Sequence, residues 1–229
     1  MPLHWLFPTP VLQADLKPDG AIAEAMDSEL EAFDRQVYQH PEFSDRNNLT
    51  GDLLGHAGLD QLHRMEAFQW LNQQLALGTA TYLEELLGSD HGLEVHIQKA
   101  WPVVCANDGG TIETHTHRNA QLSAVFYVRT EPGNDSGELE FQAPENYFSH
   151  VMAIPYLGAA ASGGVFAPQR HRLLLFPSDL RHRVTPYQGQ SSRYSVSYDL
   201  AITTPSGQGR EMRMPHPLDW VPLVLEGTT

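Results

Sequence analysis

The residues of this chain best equipped for chemistry lie in its second half. They are Glu113-Thr-His115-Thr-His117, then Ser178-Asp-Leu-Arg-His182-Arg-Val184, then Arg193-Tyr-Ser195-Val-Ser197, which begins eleven residues beyond His182. Imidazole suits a redox-active divalent metal such as Fe(II), and a centre that must also bind a bidentate organic acid and O2 has room for three protein ligands, on one face of its octahedron. Two ligands from one strand and a third from a distant segment supply that face. Glu113 is the rival for the third place, because side chains alternate along a strand and Glu113, His115 and His117 fall on one side. Arg193 adds a planar, permanently charged fork that matches a carboxylate.

Each signal is weak alone. The chain has 12 histidines, so a His-x-His pair arises readily by chance. His182, between two arginines, reads equally well as a solvated turn residue. Arg193 reads as a surface strand residue whose ion pair is worth under about 1 kcal/mol, and Tyr127 as an ordinary strand aromatic. Order carries the argument: strand histidines, a tyrosine twelve residues after His115, a distal histidine at a strand edge, then arginine and hydroxyl residues alternating onward.

The elements that must position these groups change character near residue 90. Ile22, Met26, Leu30, Phe33 and Val37 recur at helical spacing, and Phe68, Leu71, Leu75, Tyr82 and Leu86 form a second apolar stripe, which predicts two amphipathic helices. Between them, Glu42 to Gly58 is rich in Asp, Asn, Gly and Ser and reads as a long connection. From Gly92 onward the period is two: Leu93 to Gln98, Leu122 to Arg129, Glu138 to Phe141, Arg172 to Phe176 and Arg193 to Ile202 read as strands. In the last of these Arg193, Ser195, Ser197 and Asp199 share one face, and Tyr194, Val196, Tyr198 and Leu200 the other. The polar face is either solvated or lines a barrel that holds something charged. Helices followed by short strands indicate an α+β domain with helices packed outside a sandwich or barrel.

Composition limits the alternatives. With 229 residues, 41% of them hydrophobic, the chain is long enough for one well-buried core and short for two. We therefore expect a single domain over 1–229: a helical buttress over 1–90, a β-barrel core over 91–205 and a tail over 206–229. The formal charge of −14 argues against nucleic acid and anionic membranes as partners. A lone Cys105 and an N-terminus without the features of a signal peptide point to a cytoplasmic protein. The apolar stretch from Val151 to Pro168 is interrupted by Pro155, Tyr156, Ser162 and three glycines, so it reads as a loop, not a membrane span.

The segments His115-Thr-His117, Leu122-Ser-Ala-Val-Phe-Tyr127-Val, Gly137-Glu-Leu-Glu-Phe141, Leu175-Phe-Pro-Ser-Asp-Leu-Arg-His182-Arg-Val and Arg193-Tyr-Ser195 resemble the Fe(II)- and 2-oxoglutarate-dependent oxygenases, in particular their prolyl-hydroxylase-like branch. Within it the chain is similar to a bacterial group that begins with Phe-Pro-Thr-Pro, here Phe7-Pro-Thr-Pro10, and carries a Trp-Pro strand before the metal motif, here Trp101-Pro102. The resemblance spans nearly the whole chain. It implies mainly β structure with N-terminal helices: a double-stranded β-helix, or jelly-roll (cupin-like) barrel, buttressed by helices.

The same resemblance implies roles. His115 and His182 match the two histidine ligands of Fe(II), and His117 stands where most members have aspartate. Three neutral imidazoles would leave the centre one formal charge more positive than the usual triad. Arg193 matches the residue that binds the distal carboxylate of 2-oxoglutarate, with Tyr127, Ser195 and Ser197 as further hydrogen-bond donors. No catalytic group beyond the metal ligands is implied, and O2 is the second co-substrate. The implied reaction is hydroxylation of a substrate C–H bond with release of succinate and CO2.

Arg118, Arg129, Arg170, His171, Arg172, Arg181 and Arg183 crowd the metal segments, which favours a small anionic or zwitterionic substrate. The loop from Asn146 to Arg170, glycine-rich over Gly158–Gly164, is placed to act as a lid. Two other classes fit the histidines. A three-histidine zinc site with an open position would serve a hydrolase or lyase, and a metal- or 2-oxoglutarate-binding module would bind without turnover. Exposed helices leave room for a homodimer.

Overall fold

The computed structural model describes residues 9–38, 59–106, 109–142 and 164–223. The Glu42–Gly58 connection and most of the Asn146–Arg170 segment lie outside them. Two helices precede most of the strands, in the order β1 (Leu12–Asp15), α1 (Gly20–Tyr38), α2 (Gln69–Leu87), β2 (Glu94–Cys105), β3 (Ile112–His115), β4 (Leu122–Arg129), β5 (Leu139–Phe141), β6 (Val165–Phe166), β7 (Arg172–Pro177), β8 (His182–Val184) and β9 (Arg193–Thr203). The strands form a five-stranded sheet in the order β1-β7-β4-β9-β2 and a four-stranded sheet in the order β3-β8-β5-β6. All pairings within them are antiparallel. This is the double-stranded β-helix. Among the described residues no helix is long and apolar enough to cross a membrane.

Helix α1 starts where the side chain of Asp19 accepts the Ile22 amide proton at 2.9 Å, an N-cap that satisfies one of the orphan donors of the first turn. Helix α2 ends at Gly88, whose φ of +81° a residue with a Cβ adopts only with strain. The apolar faces of both helices bury against the larger sheet: Met26, Leu30, Leu71 and Leu75 pack with Ala124, Phe126, Val196 and Tyr198. Each such side chain contributes about 1.5–3 kcal/mol of burial. A second cluster, including Tyr127, Leu139, Phe141, Phe176 and Val184, fills the space around the barrel interior.

Two single-residue bulges set what faces that interior. On β2 the register shifts between Ile97 and Lys99, so Gln98 is the extra residue and the alternation inverts. Before the shift Val95 and Ile97 pack toward the helices, whereas after it Ala100 and Val104 do. Lys99, Trp101 and Val103 thereby turn into the cavity between the sheets. On β4 a shift between Tyr127 and Arg129 leaves Tyr127 inside. It carries Arg129 to the helix side, where its guanidinium pairs with Asp27 and Glu31 of α1.

Candidate active site

The cavity between the sheets has a volume of about 600 Å³ and is lined by residues of β2, β3, β4, β8 and β9. The polar face of β9 is its floor. Arg193 is 1% exposed, Ser195 1%, Ser197 8% and Asp199 0%, so this face is the barrel interior and not solvated surface. In the ladder Ser195 pairs with Tyr127 and Val103, and Ser197 with Val125 and Trp101. Alternation on three adjacent strands thus places Tyr127, Ser195 and Ser197 on one wall.

His115, His117 and His182 converge at this cavity, with one donor atom of each within 4.8 Å of the others. His115 ends β3 and lies directly opposite His182, the first residue of β8, in the smaller sheet. Just beyond β3 the His117 amide is fixed by the Ser178 carbonyl at 2.9 Å. The ring hydrogen bonds give the decisive detail. Nδ1 of His115 bonds the Glu113 carbonyl at 2.8 Å, Nδ1 of His182 the Leu180 carbonyl at 2.7 Å, and Nδ1 of His117 the Asp199 carboxylate at 2.7 Å. An oxygen acceptor at Nδ1 fixes the proton there, which leaves the Nε2 lone pair of all three rings free for a metal. Burial lowers the pKa of His115 and pushes that of His182 down to about 4, so burial favours the neutral form of both rings. The Glu113 side chain is exposed and its carboxylate is not part of the converging group.

A second histidine cluster, Glu94, His96 and His216, is built differently. There Nδ1 of His216 accepts the Leu218 amide proton at 3.0 Å, which leaves the proton of the neutral ring on Nε2, 3.4 Å from Glu94. That arrangement sets the tail against β2 and offers no free Nε2 lone pair at His216.

Arg193 begins β9, six residues before Asp199. Its Nη1 donates to the Gly137 carbonyl and its Nη2 to the Cys105 sulfur at 2.9 Å. Its Nε is buried with no hydrogen-bond partner. Tyr127 and Tyr187 hold the guanidinium between them, with ring centres 5.4 and 5.7 Å from Cζ. A buried cation with an unused donor costs stability unless a ligand completes it.

The sequence reading did not single out Asp199, Lys99, Trp101, Cys105, Gly137 or Tyr187 for this site. Asp199 carried a usable signal, since alternation sets it on the face of Arg193 and Ser197. Of the seven basic residues near the metal segments, Arg118 lines the cavity. Arg129, Arg172 and Arg183 are instead paired with Asp27, Asp15 and Glu140.

Residues 99–199 match the family model described as "Putative 2OG-Fe(II) oxygenase", a span that contains all three histidines and Arg193. Over that span, which is less than half of the chain, the sequence is similar to the Fe(II)- and 2-oxoglutarate-dependent oxygenases. Solved structures of low sequence identity share the fold of this oxygenase. A Pseudomonas putida prolyl-4-hydroxylase is 18% identical with a TM-score of 0.51, over 84% of this chain and 88% of that one. A prolyl hydroxylase from Trichoplax adhaerens, in complex with a hypoxia inducible factor peptide fragment, is 15% identical with a TM-score of 0.53, over 82% and 83%. HygX from Streptomyces hygroscopicus, with nickel and 2-oxoglutarate bound, is 12% identical with a TM-score of 0.52, over 84% and 82%. No curated protein matches the chain in sequence. The enzyme is a 2-oxoglutarate-dependent iron oxygenase, and its residues fit both groups: three free imidazole donors for the metal and a buried guanidinium with an unused Nε for a carboxylate.

Proposed function

We propose that this oxygenase hydroxylates a C–H bond of a small anionic or zwitterionic substrate, with His115, His117 and His182 holding Fe(II) and with Arg193, Tyr127, Ser195 and Ser197 holding 2-oxoglutarate. The observation that carries the reading is the pairing, in one cavity, of three histidines whose Nε2 atoms are free with an arginine whose buried Nε has no partner. Iron, 2-oxoglutarate and O2 supply the oxidation, in which one oxygen atom enters the substrate and the co-substrate leaves as succinate and CO2.

The chain's own residues do the positioning. Arg193, fixed on two sides by Gly137 and Cys105, offers Nε to the distal carboxylate of the co-substrate. A preformed donor of this kind costs no reorganisation when the ligand binds. The Tyr127 hydroxyl, in a buried environment that raises its pKa, stays protonated and can donate. Ser195 and Ser197 add short hydroxyl side chains to the floor, leaving room for a chain-like ligand. Trp101 stacks on His117 with ring centres 5.6 Å apart and planes inclined by 30°, walling one side of the histidine cluster from water.

The substrate class rests on charge at the cavity. The exposed Arg118 lines it, as does Glu113, whereas Lys99 is paired with Asp199 at 2.9 Å; the chain as a whole carries −14. The Arg118 guanidinium at the cavity of an acidic protein favours an anionic group at that place. In iron- and 2-oxoglutarate-supplied assays, pools of amino acids and organic acids should each be tested for stimulated succinate formation. Stimulation by acids that weakens in Arg118→Ala is the expected result. Stimulation confined to neutral, cationic or peptide pools would overturn the substrate class.

A further inference from the structure

The three-histidine reading leaves one buried charge beside the centre unexplained. Asp199 has a side chain with 0% exposure. Burying a carboxylate in a barrel is expensive unless every oxygen is used, and here each is. Oδ1 accepts from His117 Nδ1 at 2.7 Å and from the Ser123 hydroxyl at 2.9 Å. Oδ2 is 2.9 Å from Lys99 Nζ and 3.5 Å from the Asn119 amide. The other two histidines show that a carboxylate is not needed to fix a tautomer, because the backbone carbonyls of Glu113 and Leu180 do that for His115 and His182. What a carboxylate adds is charge. The converging metal group consists of three imidazoles and contains no acidic ligand, so it brings no negative charge of its own.

We propose, on the basis of that three-histidine reading, that Asp199 is a positioning residue of the metal centre, supplying through the Nδ1–H of His117 the negative charge that the ligand set lacks. A carboxylate at Nδ1 withdraws the proton partially, which makes Nε2 a stronger donor to a dication and holds the ring in the orientation the metal needs. Lys99 is the counterweight. Its ammonium pairs with the far oxygen and lies 4.6 Å from the centre of the Trp101 ring, which itself stacks on His117. Lys99 thus keeps the carboxylate ionised and buried, and at the same time draws off part of its charge.

These two residues make opposite predictions, and that separates a role in metal binding from a structural salt bridge. Metal-free protein would be titrated with Co(II), followed by its visible d–d absorption, in wild type, Asp199→Asn, Lys99→Met, His117→Ala and the His117→Ala/Asp199→Asn pair. Asp199→Asn should weaken Co(II) binding by about 10- to 100-fold. Lys99→Met, which removes the same ion pair but keeps the carboxylate, should bind as tightly as wild type or tighter. In the His117→Ala background, Asp199→Asn should have no further effect, since its influence passes through that ring. Thermal unfolding of the metal-free forms checks folding, and an unfolded Asp199→Asn would be replaced by Lys99→Met/Asp199→Asn, with weakened binding again expected. Unchanged Co(II) affinity in Asp199→Asn, or equal losses in Asp199→Asn and Lys99→Met, would overturn the proposal. Failure of the wild-type protein to bind Co(II) would count instead against the three-histidine site.

Discussion

The Arg193 guanidinium carbon lies 5.4 Å from the centre of the Tyr127 ring, and both side chains are about 1% exposed. A cation held this deep against an aromatic face, with Nε unused, suits the carboxylate-binding role proposed for it. Arg193→Met should raise the dissociation constant for 2-oxoglutarate by roughly 30-fold or more, the penalty typical of truncating a buried charge pair. Arg193→Lys should not restore it, because an ammonium cannot reproduce the fork. Calorimetric titration with 2-oxoglutarate under anaerobic conditions would check both.

Gly137 sits against the same guanidinium. Its φ is +75°, and an added Cβ would come within 2.6 Å of Arg193 Nη1 and 3.1 Å of the Tyr187 ring. Gly137→Ala should therefore displace Arg193 and weaken 2-oxoglutarate binding while leaving metal affinity at the proposed histidine site unchanged. Comparing Co(II) and 2-oxoglutarate affinities in this variant would show the expected split; equal losses of both would mean a general collapse of the barrel.

The third-ligand question has a direct test in metal content. His117→Ala should lose iron from the protein as purified, and Glu113→Ala should retain it, since the Glu113 carboxylate lies outside the converging group. Elemental analysis after anaerobic reconstitution distinguishes the two. Full iron in His117→Ala would rule out that ligand set.

A stability prediction concerns the seam between α1 and the larger sheet. Tyr194 donates to the buried Asp34 carboxylate at 2.7 Å. Burial is the largest influence on Asp34 and raises its pKa, with the Tyr194 hydrogen bond acting to lower it. A carboxyl whose folded pKa is raised contributes stability at low pH that is lost as pH rises through the folded value. Tyr194→Phe removes the donor and pushes the folded pKa higher still. The substitution should cost about 1–3 kcal/mol at neutral pH and much less once Asp34 is protonated, which denaturant unfolding at pH 7 and at low pH would reveal.

Both helices and the period-two strands are readable from residue type and spacing, whereas the roles proposed for His115, His117, His182 and Arg193 come from the family resemblance. Other features depended on tertiary context. Strand β2 runs on to Cys105 although the alternation from Leu93 stops at Gln98, because the bulge there inverts the faces and Ala100 to Cys105 is buried on both sides. Strand β1 has four residues and is defined by its pairing with β7, which no local pattern reveals. His182 reads as a turn residue but opens β8 at 4% exposure. Arg129 lies in sequence among the metal segments, yet a one-residue shift delivers it to α1. Asp199 was visible as a member of the polar face, and only the side-chain packing shows that it meets His117.

The most direct test of the site is to add Fe(II) and then 2-oxoglutarate to metal-free protein without oxygen, record the visible charge-transfer absorption of the ternary complex, then admit air and assay succinate. The account expects a band that is absent in His117→Ala and requires far more 2-oxoglutarate in Arg193→Met, with succinate formed on aeration of the wild type. A band of full intensity in His117→Ala, or one indifferent to Arg193→Met, would contradict the assignment of this cavity as the iron and 2-oxoglutarate site.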